Sequence, residues 1–246
     1  MAVEVPSRRA RLRAETSAEI RATALKLMAE GGPDAISLRA IAREMGMTAN
    51  AIYGYYPTRD DLVTTLIAEV YGDLVRQAEA ARDAAHGPAA RLLAWAHAFR
   101  AWSLANPEGF RLIYGDPVPG YQPPEDGFEP EKRACADLTE LVVAAWPTAA
   151  ATQSHGDHRW EDFDPHVTED LRAEHPDLPP AAVALALRVW GRMHGLVTLE
   201  VYGRLRAQTT QPGKLYEAEL DDLVRSLGLT WRTPPAPRAA APAGRR

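Results

Sequence analysis

The chain has 246 residues, enough for one large domain or for a small domain joined to a larger one. With 46% hydrophobic and 25% charged residues it has the make-up of a soluble globular protein. The single cysteine, Cys135, excludes an internal disulfide and a multi-cysteine zinc site and fits a reducing, cytoplasmic compartment, and no apolar run approaches the ~20 residues that span a bilayer.

The net charge is −5, yet residues 1–59 hold nine Arg and Lys against six acids, which leaves +3 there and −8 on the remainder. A basic small domain on an acidic larger one suits a nucleic-acid reader attached to a regulatory body. Within that basic region, Pro6-Ser7-Arg8-Arg9-Ala10-Arg11-Leu12-Arg13 is followed by no apolar segment. Residues 1–15 therefore read as a flexible basic arm rather than a secretory signal. Thr16 and Glu19 have the spacing of a capping box, and Ile20, Ala24, Leu27 and Met28 share one helical face up to Gly31-Gly32-Pro33. Ser37 is the next N-cap, with Ile36 and Ile41 at staple positions, and Gly46 stands where a left-handed C-cap is needed. Thr48 starts a short helix that Pro57 stops. Two short helices joined by the tight turn Gly46–Thr48 make a helix-turn-helix. Thr58 with Asp61 then caps a long helix to near Ala85, ended by Gly87-Pro88.

Beyond Pro88 the strong signals are all helical: Ala89–Ala105, a shorter helix from an Asn106-Pro107 cap to Tyr114, Pro130–Trp146, Pro179–Arg206 and Lys214–Leu227. Gly115–Gly127 reads as a loop, and 147–178 as polar and irregular with a short helix near Val167–Glu174. The Pro- and Ala-rich end, 231–246, reads as a disordered tail. The Pro179–Arg206 helix is apolar on two sides. Val183, Leu187, Trp190, His194, Val197 and Val201 form one, and Leu185, Val189, Leu196 and Leu199 the other, with Ala184, Gly191, Gly195 and Thr198 between them. Such a helix needs cover on both faces, and a second copy of the chain is an economical source. Leu185, Val189, Leu196 and Leu199, together with Leu220, Leu223 and Leu227 of the last helix, are the expected homodimer interface. The fold class is all-α. Residues 16–60 are expected to form a three-helix helix-turn-helix domain, and 61–230 a helical bundle for ligand binding and dimerisation.

Residues 16–71 resemble the DNA-binding domain of the tetracycline-repressor (TetR) family. The resemblance lies in Ile20–Ala29, Ile36-Ser37-Leu38-Arg39-Ala40-Ile41-Ala42, Met45-Gly46-Met47 and the run Ala51–Leu62. Tyr56 stands where the family usually has Phe, and Pro57 where Lys is common. Asn106–Tyr114 and Val189–Glu200 are similar to a subgroup with a Trp, His-Gly, Leu-Glu run in its penultimate long helix. The resemblance implies a homodimer whose two recognition helices read a palindromic double-stranded DNA operator. It also implies a small molecule in the C-terminal domain that weakens DNA binding. No cofactor, metal or membrane partner follows from it.

On this resemblance Arg39 is the candidate base contact, since a guanidinium can bond guanine bidentately. Ser37 and Thr48 would combine capping with phosphate donation. Asn50 can pair with adenine and Ala49 can touch a thymine methyl. Tyr53 and Tyr55 offer hydroxyls to phosphate. Arg59, in the first turn of the long helix, is expected to reach phosphate with help from the N–H groups there. For a small, largely apolar effector the candidates are Trp95, Phe99, Trp102, Phe110, Trp146, Trp190, Met193 and His194, with His194 and Arg192 as polar handles. Aromatics at helical spacing serve equally well as core.

Two other readings stay open. A regulator of this kind can answer to a protein partner or to no ligand. A metal-dependent enzyme would use His155, Asp157 and His158, with Asp162 and His166 near, but metal chemistry needs rigidly held ligands and this stretch is irregular. The sequence has no glycine-rich phosphate loop, nucleophile elbow or HExxH motif, so the chain reads as a non-enzymatic regulator.

Overall fold

The computed structural model describes residues 7–124, 128–153 and 156–230, and among them are ten α-helices and no strand. Helix α1 runs unbroken from Arg8 to Gly31, started by Ser7, whose hydroxyl accepts from the Ala10 N–H at 3.2 Å. Residues 8–15 are thus helix rather than a flexible arm, and Thr16 lies inside the helix instead of capping it. Once Ser7 supplies the start, the Arg, Ala and Leu that follow all favour continuation. Gly32, with φ 76°, ends the element by donating its N–H to Met28 O at 2.8 Å.

A 3₁₀ turn, Pro33–Ala35, leads to α2, Leu38–Glu44, and then to α3, Ala49–Tyr53. Helix α4, Arg59–Ala84, opens on the expected capping box: Thr58 Oγ1 accepts from Asp61 N, and Asp61 Oδ2 accepts from Thr58 N, both at 3.0 Å. Gly87 in the left-handed region and Pro88 at the first helical position turn the chain into α5, Pro88–Ala105. Helix α6 is Pro107–Tyr114. The Asn106 side chain does not cap it; its Nδ2 donates back to Trp102 O at 3.0 Å and closes α5. The remaining helices are α7, Glu129–Ala149; α8, Pro165–Glu174; α9, Pro180–Val201; and α10, Pro212–Ser226. Helix α9 stops short of the expected Arg206 because the chain turns through Gly203 at φ 69°. Among the described residues no helix is long and apolar enough to cross a membrane. The expected tail, 231–246, lies outside the described residues.

Two apolar cores form. The first gathers Ile20, Ala24 and Met28 of α1, Ile41 of α2, Ile52 of α3 and Leu62–Tyr71 of α4, and it also takes in Leu112, Val118 and Phe128. The second gathers Leu74 and Ala78 of α4 with residues of α5, α6, α7, α9 and α10. A smaller cluster of Leu171, Leu178, Ala182 and Val183 seats α8 on α9. Packing therefore changes over inside α4, between Tyr71 and Leu74, rather than at the expected 60/61 boundary. Each large apolar side chain so buried contributes about 1.5–3 kcal/mol, so α4 is anchored firmly at both ends.

Candidate nucleic-acid interface and effector core

The reader is built from the α2–turn–α3 unit. Leu38, Ile41 and Ala42 on α2 and Ile52 on α3 point into the first core. Between the helices, Met47 N–H bonds Ala42 O at 2.8 Å and Gly46 N–H bonds Arg43 O at 3.3 Å, with Gly46 at φ 65°. This is a Schellman end, which requires the left-handed residue that glycine supplies. Thr48 then starts α3, its Oγ1 accepting from Ala51 N at 3.2 Å. With the apolar sides fixed inward, Arg39, Thr48, Asn50 and Tyr53 face solvent, and Ala49 is half-buried.

Ser37 occupies the N-cap position of α2 but makes no capping bond, so the expected double role reduces to a hydroxyl left unengaged. Tyr55 is half-buried under the Arg13 guanidinium, 4.7 Å from the ring centre. Tyr56 is in the core, with its hydroxyl bonded to Ser17 Oγ and to Arg21 Nη1. Arg21 also pairs with Glu69 on α4. Arg59 is turned inward. Its Nε donates to Ile36 O at 2.7 Å, its Nη1 to Pro119 O at 2.9 Å and its Nη2 to Pro33 O at 3.3 Å. The expected phosphate anchor is thus occupied by backbone carbonyls. Arg43, absent from the expected set, is exposed one turn beyond Arg39 on the same face of α2, a placement that their i, i+4 spacing signals.

In the second core Trp95 and Phe99 of α5, Phe110 and Tyr114 of α6, and Trp190 and His194 of α9 form one aromatic cluster. Ring centroids are 5.7 Å apart for Trp95–Phe99, 5.0 Å for Phe99–Trp190, 5.5 Å for Phe110–His194 and 4.7 Å for Trp190–His194. Tyr114, absent from the expected set, lies 4.8 Å from His194. Met193 is fully buried on the same helix. Two expected members stand apart. Trp102 donates its indole N–H to Asp73 on α4 at 2.8 Å, and Trp146 is half-buried on α7, packed against both the second core and the small α8–α9 cluster. Within the cluster, Trp95 Nε1 and His194 Nε2 are buried with no hydrogen-bond partner. His194 Nδ1 sits 3.2 Å from Thr198 Oγ1, and burial lowers the pKa of the imidazole, which keeps it neutral. Arg192, the other expected handle, is held by Glu219 and Ser226 on α10.

Of the expected dimer residues, Leu185, Val189, Leu220, Leu223 and Leu227 are buried in the chain's own second core, which leaves them nothing to offer a partner. Leu196 is half-buried and Leu199 is 41% exposed. The uncovered side of α9 is instead Leu187, Gly191 and Gly195, with Leu199 at its edge and Tyr202 just beyond its end. The helical period of ~3.6 residues brings these onto one strip, and Leu187 is 58% exposed. Of the metal-enzyme residues, His155 lies outside the described residues. The metal-compatible grouping among the described residues is Glu140, Glu174 and His175, whose ligand atoms lie within 4.8 Å of one another on the surface.

Comparison with known proteins agrees with this arrangement. Residues 20–66 match the family described as "Bacterial regulatory proteins, tetR family", and residues 92–223 match "Tetracyclin repressor-like, C-terminal domain". The HTH-type transcriptional regulators Rv1816 of Mycobacterium tuberculosis (strain ATCC 25618 / H37Rv) and Mb1846 of Mycobacterium bovis are each 33% identical over 225 residues, covering 87% of this chain and 93% of theirs. The crystal structure of the regulatory protein SCO4313 superposes with a TM-score of 0.69 at 32% identity, over 90% of this chain and all of that one. A tetR-family regulatory protein from Rhodococcus RHA1, 17% identical over 88% of this chain and 98% of its own, shares the fold with a TM-score of 0.61.

Proposed function

The chain belongs to the TetR family of bacterial regulatory proteins and is a DNA-binding transcriptional regulator; we propose that it works as a repressor, a homodimer released from a palindromic operator by a small, largely apolar effector. In this reading Arg39 and Asn50 contact base edges, while Ser37, Thr48 and Tyr53 reach phosphate and fix the register. Ala49, at the start of α3, would meet a thymine methyl.

The uncovered strip of α9 is the surface offered to a second copy. At Gly191 and Gly195 nothing of the chain lies within 4 Å of where a Cβ would stand, which leaves room for a partner helix to approach closely. Two readers linked in this way can occupy half-sites one helical turn, about 34–36 Å, or multiples of it apart.

The observation that carries the effector reading is the pair of orphaned atoms, Trp95 Nε1 and His194 Nε2, inside an otherwise apolar cluster. A buried donor or acceptor left unpaired costs about 1–3 kcal/mol. An apolar molecule with a carbonyl or similar polar group would restore that loss while burying its own surface. Trp190, His194 and Tyr114 are half-buried, so the cluster reaches the surface.

The experiment is binding of the purified protein to the DNA upstream of its own gene, with apolar carbonyl-bearing compounds added and tryptophan emission followed. Binding that one such compound abolishes, with a change in emission, is the expected result. Retention on DNA with every compound, together with release by a second protein, would transfer control to a protein partner.

A further inference from the structure

We propose that Arg59 is a positioning residue that locks the reader onto the regulatory body, and that it makes no phosphate contact. The observation is the set of three carbonyls its guanidinium holds. Ile36 O and Pro33 O belong to the turn between α1 and α2, and Pro119 O belongs to the connection between α6 and α7. One side chain at the start of α4 therefore ties together three segments that are distant in sequence. A planar fork with several fixed donors suits this task, whereas a lysine offers a single point of charge.

The surroundings favour a joint over an anion site. The first turn of α4 carries Asp60 and Asp61, and the Asp61 carboxylate closes the cap. Two acids at a helix N-terminus use up the positive end of its dipole and repel a phosphate. The held loop also has other grips on the reader side. Val118 is buried in the reader's own core, and the Tyr121 hydroxyl lies 2.9 Å from Thr64 Oγ1 on α4.

The loop follows directly from α6, which faces both cores: Leu112 packs in the reader's, Phe110 and Tyr114 in the aromatic cluster. A displacement of α6 thus reaches the α1–α2 turn through Pro119 and Arg59. That regulatory consequence rests on the effector reading above; the joint itself does not.

The test compares Arg59→Ala and Arg59→Lys in two measurements on the full chain without effector. The first is the salt dependence of binding to a non-specific DNA duplex. A lost phosphate contact flattens the log–log slope by about 0.9 in Arg59→Ala, and Lys restores it. The expected result is an unchanged slope in both. The second is the distance distribution between spin labels at Ala29→Cys on α1 and Ala136→Cys on α7, in a Cys135→Ser background. Both variants are expected to broaden it, Lys as much as Ala. A slope lost in Ala and regained in Lys overturns the proposal, as does a distribution unchanged from the parent. If Arg59→Ala does not fold, Arg59→Gln replaces it in both measurements; its single amide nitrogen cannot hold all three carbonyls, so broadening is again the supporting outcome and an unchanged distribution the overturning one.

Discussion

Arg13 donates from Nη2 to the carbonyl oxygen of Gly54 at 2.7 Å while its guanidinium lies 4.7 Å from the centre of the Tyr55 ring. A cation at the C-terminus of the recognition helix is electrostatically favoured, and this one reaches it from a segment that was expected to be an unstructured arm. Arg13→Ala should therefore loosen α3. We expect upstream-DNA binding to weaken by roughly 0.5–1.5 kcal/mol, in line with a single exposed hydrogen bond. Non-specific binding should fall less. Equal losses on both DNAs, measured by fluorescence anisotropy, would return Arg13 to a simple charge role.

Arg39 and Arg43 share a face of α2 and are both exposed. If Arg39 reads a base, Arg39→Ala should cost roughly 1–3 kcal/mol on the upstream DNA and little on a scrambled duplex. Arg43→Ala should weaken both about equally and flatten the salt dependence. Competition titrations with the two duplexes separate the outcomes, and identical profiles for the two variants would remove the distinction.

Trp102 and Trp95 are equally buried, at 2% exposure each, but the Trp102 N–H is bonded to Asp73 and the Trp95 N–H to nothing. Trp102→Phe should therefore destabilise by about 1.5–3 kcal/mol, the usual loss for a hydrogen bond to a charged group. Trp95→Phe removes an unpaired donor, so in urea unfolding it should cost only the lost indole packing and less than Trp102→Phe, while lowering effector affinity. A destabilisation by Trp95→Phe as large as that by Trp102→Phe would mean that its N–H is satisfied in solution, and the effector reading would lose its main support.

Leu187 and Leu223 test where a second copy sits. Leu223→Glu puts a charge into the chain's own core, where Leu223 is 1% exposed, and should unfold the protomer rather than separate a dimer cleanly. Leu187→Glu, on the uncovered strip of α9, should leave the fold intact by circular dichroism and yield monomer in sedimentation. A folded Leu187→Glu dimer would place the interface elsewhere.

His194 gives a pH signature. Burial lowers its pKa below the usual 6.5, so near and below that value the unfolded chain binds a proton that the folded one resists. The unfolded state then holds more protons, and stability must fall as pH drops through 6.5. His194→Phe should flatten that part of the stability–pH curve relative to the parent protein. An unchanged slope in denaturant titrations at pH 7 and below would assign the effect to another group.

Features that depend on neighbours within about one helical turn can be read from the chain alone. The Thr48 helix start, the Thr58–Asp61 box, the left-handed Gly46 and the apolar Ile36 and Ile41 beside Ser37 were all legible because their partners lie a few residues away. Local signals misled where a stronger neighbour prevailed, as when Ser7 started α1 ahead of Thr16. The remaining features depend on contacts between segments far apart in the chain. Arg13 meets a carbonyl 41 residues away and Arg59 one 60 residues away, so neither could be told from a free surface arginine by spacing. The leucines of α10 and the inward side of α9 satisfy their apolar pattern within one chain, and periodicity shows that a face is covered without showing by what. The unpaired Trp95 and His194 atoms are likewise visible only when every group around them is in place, because a missing partner is a property of the packed core and not of either residue.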